Sequence, residues 1–148
     1  MNCNSNTMPL IDVNPTSSCN IGCEPKEINI VCKSIVIPSG QEVLAVQGEN
    51  AEEIRTFLVP KVTSGGQNLS DKNFSFVFKN SAFEIVSIDI QKEDIEELEN
   101  YIKINFKITK EITSQSGSLN LQIIAEKDDF VWKTYSATFK IAESLKGE

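Results

Sequence analysis

The chain has 148 residues, enough for one domain with an appended arm. Its 21 acidic residues outweigh 14 basic ones, for a net charge of −7. That balance disfavours nucleic acid and anionic membranes as partners, because phosphate recognition needs clustered Lys and Arg. Histidine is absent, which removes every Ser-His or Cys-His nucleophile pair within one chain and the commonest general base and metal ligand.

Residues 1–27 differ from the rest. They are rich in Asn, Ser, Thr and Cys, with Pro9, Pro15 and Pro25 spaced along them. Their apolar cluster is Met8, Leu10, Ile11 and Val13. This composition builds no core of its own and reads as an extended arm, with those four residues as its partner-binding handle. The start carries no basic patch followed by an apolar core, so no secretory signal is expected. No apolar run approaches the ~20 residues of a membrane span.

Strands are expected from Ile28 to Cys32 and from Ser34 to Ile37, ending at the Pro38-Ser39-Gly40 turn. Glu42–Gln47 is a further short strand. Glu53–Val59 follows and stops at Pro60, since proline donates nothing to a ladder. Thr63–Asn68 is a loop. Its Gly65-Gly66 pair lacks the Lys-Ser/Thr of a phosphate loop and reads as a plain turn.

Phe74, Phe76 and Phe78 alternate with polar neighbours except at Val77. Asn80-Ser81 turns the chain into Phe83–Ile90, where Val86, Ile88 and Ile90 share one face. Lys92–Asn100 breaks the pattern: it is made mostly of helix formers, with Ile95 and Leu98 three apart, and predicts a short helical insertion. Tyr101–Ile108 gives the clearest alternation, with Ile102, Ile104, Phe106 and Ile108 on the buried side. Leu119, Leu121, Ile123 and Ala125 repeat it. Lys127-Asp128-Asp129 reads as a hairpin turn before the final strands, Phe130–Tyr135 and Ala137–Ile141.

About eight strands at spacings of roughly 8–12 residues predict an all-β, immunoglobulin-like antiparallel sandwich over residues 28–142. Residues 143–148 form a short tail. Most aromatics fall on alternate strand positions and are expected in the core, Trp132 among them.

Candidate chemistry is sparse. Cys3, Cys19, Cys23 and Cys32 are the only candidate metal ligands of the thiol class. Two thiolates at Cys19 and Cys23 could share a tetrahedral ion, but the spacing is C-x3-C and no second pair follows, so no metal site is assigned. Disulfides, in any of three pairings, and free thiols remain alternatives. Glu93, Asp94, Glu96, Glu97 and Glu99 lack the glycine-bearing frame of a calcium loop and read as a solvated face. No cofactor is expected. Tyr101, Phe130 and Tyr135, near turns, would be the stacking residues of a carbohydrate-binding module, a reading that competes with plain strand-edge packing.

The order of several segments resembles a known family. A strand ending near Ile37 is followed by Gln41-Glu42-Val43-Leu44-Ala45-Val46-Gln47-Gly48-Glu49-Asn50 and Ala51-Glu52-Glu53-Ile54-Arg55. Pro60, Leu69-Ser70-Asp71-Lys72, the Asn80 turn, Ile108–Thr113, Ser116-Gly117, Trp132-Lys133-Thr134 and Ala137-Thr138 come next. Together, over about residues 28–142, they resemble the upper-baseplate N-terminal domain family of phages infecting low-GC Gram-positive bacteria. The resemblance implies a β-sandwich that attaches a distal part to the virion. It implies a non-enzymatic structural subunit, located in a virion assembled in the host cytoplasm. Its expected partners are other virion proteins, either of the tail and baseplate or the major capsid protein, and further copies of itself. Members usually continue into a fibre region where this sequence ends at Glu148. That shortness favours capsid decoration or a head fibre, the alternative; family precedent favours tail or baseplate attachment, the first expectation.

Overall fold

The computed structural model describes residues 27–50 and 53–145. The arm handle Met8, Leu10, Ile11 and Val13, the cysteines Cys3, Cys19 and Cys23, and the Ala51-Glu52 pair lie outside the described residues. The described residues form an all-β sandwich of eleven strands in two sheets.

The first sheet has the order β2-β1-β4-β8-β7, built from β1 (Ile28–Val31), β2 (Ser34–Val36), β4 (Ile54–Pro60), β7 (Ile95–Glu97) and β8 (Tyr101–Lys107). The second has the order β3-β11-β9-β5-β6, from β3 (Val43–Val46), β5 (Asn73–Lys79), β6 (Ile85–Asp89), β9 (Gly117–Lys127) and β11 (Ala137–Ala142), with β10 (Phe130–Lys133) also on β9. β4, β8 and β7 hold the places of strands B, E and D of an immunoglobulin sandwich. β5, β9 and the β10–β11 pair hold those of C, F and G.

Alternation makes the core. Phe74, Phe76 and Phe78 of β5 and Ile102, Ile104 and Phe106 of β8 point inward and are buried. At the centre the Phe76 ring stacks on Phe106 at 4.6 Å and meets Phe57 edge-on at 4.9 Å. Such pairs contribute about 0.5–1.5 kcal/mol each beyond area burial. Trp132 is buried as expected.

The structure corrects three expectations. Lys92–Asn100 is not a helix: a single 3-10 turn at Lys92–Asp94 leads into β7, antiparallel to β8. A helix this short would gather only Ile95 and Leu98 on its apolar face. Pairing instead sets Ile95 opposite Ile104, against the core, and Glu96 opposite Lys103. The sandwich is not wholly antiparallel either, since β1 runs parallel to β4 and β3 parallel to β11. These two ladders set the first strands against partners remote in sequence, which local pattern does not encode. Lastly, a short helix, α1 (Lys110–Thr113), forms where none was expected, with Ile112 and Thr113 fully buried.

Candidate functional site

Strand directions sort the connections into two ends. At one, here the loop end, gather the β4–β5 connection (residues 61–72), the β7–β8 turn and the β1–β2 and β9–β10 turns. The last two are two-residue hairpins whose first central residues, Cys32 and Asp128, have φ of 58° and 56°. Cys32 is an exposed free thiol. No group of three or more His, Cys, Asp or Glu side chains able to hold a metal occurs among the described residues.

Backbone bonds from Lys61 N–H to Asn100 C=O and from Leu69 N–H to Lys61 C=O tie the loop end, and ion pairs lie at its surface. Lys61 Nζ lies 3.2 Å from Glu97 Oε2. The Ser70 hydroxyl, then Lys61, hold the Glu97 carboxyl below its ordinary range. Asp71 is lowered chiefly by a hydrogen bond from Lys72 at 2.7 Å, with Lys127 at 3.9 Å adding to it. Lys72 also sits 4.9 Å from the centre of the Phe130 ring. Of the three aromatics that would serve a sugar site, Phe130 therefore already has a cation on its face. Tyr101 opens β8 in the first sheet. Tyr135 lies in the break between β10 and β11 of the second, where its N–H donates to Lys33 C=O. The three do not share one strand or one sheet.

The opposite, closed end is held by backbone and buried side chains. Thr113 Oγ1 donates to Glu49 C=O at 2.7 Å, and Gly48 N–H donates to Thr113 C=O. Asn50 Oδ1 accepts from Lys110 N–H, supplying from a distant loop the cap that Thr109 does not give α1. Arg55 reaches across to Val43 C=O and Leu44 C=O, linking β4 to β3. Residues 47–50, α1, the β5–β6 turn and the end of β11 all meet here, and β1 enters from this side.

The β5–β6 turn carries the most unusual residue. Asn80 is buried, and its Oδ1 accepts from Ala82 N–H and Glu84 N–H, while its Nδ2 donates to Glu84 Oε1. This pins the turn so that Phe83 has φ 65°, a left-handed conformation rare for a bulky side chain. Ser81 Oγ donates to Ser116 C=O at 2.6 Å, and a Cβ on Gly117 (φ +112°) would lie 3.0 Å from Ser81 Cβ. Only glycine allows that close approach.

Phe83 is 77% exposed and Ile85, beginning β6, is 68% exposed. Lys79 stands 5.4 Å from the Phe83 ring centre. The sequence pattern made Phe83 the start of a strand without assigning it to either face. The phase of the strand decides it: Val86, Ile88 and Ile90 face inward, so counting back by twos reaches Glu84 and leaves Phe83 and Ile85 on the outer side. Together they form an apolar corner on an edge strand, the feature that soluble proteins usually blunt.

Neither a scan of protein-family models nor a search of curated proteins finds a match to this chain. No helix among the described residues is long and apolar enough to cross a membrane.

Proposed function

We propose that this chain is a non-enzymatic bacteriophage structural subunit, an adaptor of the tail or baseplate whose sandwich is a rigid body and whose N-terminal arm makes the attachment. Two lines support the reading. The ordered motifs from Gln41 to Thr138 resemble an upper-baseplate domain, and the chain folds as the sandwich that resemblance implies. The single observation that carries it is the exposed Phe83–Ile85 corner, at the end from which β1 enters. A bulky residue held in a left-handed conformation costs stability, which fits a side chain kept outward for contact with another protein. In this reading Met8, Leu10, Ile11 and Val13 are the arm's anchors, and other virion proteins are its partners.

Removing residues 1–27 from the chain expressed during phage assembly tests this. The expected result is a folded monomer that no longer enters particles. A truncated protein that still copurifies with virions would sink the reading. Counting copies per particle separates its two forms, since a baseplate takes few and capsid decoration many.

A further inference from the structure

β6 is the edge strand of the second sheet beyond β5. Its hydrogen-bond phase shows which groups are free. Asn80 N–H donates to Glu84 C=O and Ile90 N–H to Phe74 C=O, so the even-numbered residues 84 to 90 direct their backbone groups to β5. The backbone groups of Ile85, Ser87 and Asp89 therefore face away from the sheet, the Asp89 C=O accepting only a long 3.5 Å bond from the exposed Gln91 side chain, and the same three side chains are exposed on its outer face. Val86 and Ile88 point inward but stay half-buried, because no strand covers their open side. This is a five-residue template with an apolar corner at its start.

The other edges offer less. β2 and β7 have three residues each, and β3 and β10 have four each. β7 also presents Glu96 and Glu97, both exposed. β6 is the longest edge.

One segment of the sequence matches this template. Between Pro9 and Pro15 lie Leu10, Ile11, Asp12, Val13 and Asn14, five residues that all carry an N–H and are bracketed by two that do not. As a strand, their alternation would put Ile11 and Val13 on one face, toward the open sides of Val86 and Ile88, and Leu10 on the other. The thirteen residues between Asn14 and Ile28 span up to about 45 Å when extended, more than the height of a seven-residue strand.

We infer that Leu10–Asn14 of one copy adds as a sixth main-path strand to the β6 edge of a second copy, so that the subunits join through exchanged arms. The inference rests on the assembly reading above and names the acceptor surface within it. Backbone bonds to Ile85, Ser87 and Asp89 give the affinity, and the Phe83–Ile85 corner flanks the incoming strand. In either strand direction the full-length register sets Asp12 opposite Ser87.

The test uses full-length chains in which the four cysteines are replaced by serine. One carries Asp12→Cys and the other Ser87→Cys, mixed and oxidised. Paired strands bring such Cα atoms to about 4.5–5.5 Å, within disulfide reach. The expected result is at least tenfold more 12–87 interchain disulfide, mapped by mass spectrometry, than from Asp12→Cys with Glu96→Cys on the β7 edge. Ser87→Pro, which removes an N–H facing away from β5, should abolish arm exchange while leaving the melting temperature within a few degrees. No enrichment overturns the inference, as does an intrachain 12–87 bond in the double variant at the expense of interchain product. If the cross-link fails while deletion of the arm still blocks particle entry, β6 is the wrong acceptor and the assembly reading stands.

Discussion

The two ends of the sandwich are closed by different forces. The loop end adds surface ion pairs, Lys61 with Glu97 and Asp71 between Lys72 and Lys127, to the buried Leu69 and the bond from Lys61 N–H to Asn100 C=O. The closed end relies on buried atoms: Ile112, Thr113 and the bonds from Thr113 and Gly48. Exposed pairs gain little over water and are screened by salt, whereas a buried group that loses its partner keeps its desolvation cost. The end that holds the fold firmly is also the one that carries the strained, outward Phe83. Strain of that kind persists only where the surroundings over-determine it.

Four substitutions sharpen the contrast, in descending order of effect. Ile112→Ala empties a fully buried site under α1 and should cost about 2–5 kcal/mol in denaturant unfolding. Thr113→Val removes the donor to Glu49 C=O and should cost about 1–3 kcal/mol, since the carbonyl is left without its partner. Phe83→Gly acts in the opposite direction. It relieves the left-handed strain and should stabilise the isolated subunit by about 0.5–1 kcal/mol while weakening assembly. A variant that melts lower than the parent would mean that the Lys79 contact outweighs the strain.

At the loop end, Glu97→Gln should leave the melting temperature at pH 7 and its salt dependence nearly unchanged. Acid gives a finer readout. Glu97 and Asp71 titrate below their ordinary values of 4.5 and 3.8. What they add is fully present above those values and is lost as pH falls through the lowered ones. Followed by chemical shift, each carboxyl should titrate with a midpoint below its ordinary value. A midpoint for either at or above its ordinary value would remove the ion pairs from the description of the loop end.

Much of the sandwich was legible because a half-buried strand writes its two faces into alternate residues. Tyr101–Ile108 and Leu119–Ala125 read inward at the positions found buried. The Lys127–Asp129 turn is equally local, and β9 and β10 pair across it. Lys92–Asn100 misled because composition reports intrinsic preference, while Ile95 answers to Ile104, a partner in the next strand. α1 escaped notice because four residues capped by Asn50 carry no periodic signal. The exposed corner was readable in part: Ile85 falls out of phase with Val86 and Ile88, but the conformation of Phe83 is imposed by the Asn80 side chain.

The parallel ladder between β3 and β11 has a consequence for how the chain is made. β3 leaves the ribosome early, yet its partner residues are Lys140, Ile141 and Ala142, roughly a hundred residues later, a separation that slows closure. Until β11 emerges, Leu44 and Ala45, buried in the finished fold, have no lasting cover from that strand. The β3 margin of the second sheet therefore stays open until residues 140–142 have been made, so β3 can be paired only after the other strands of the sandwich exist.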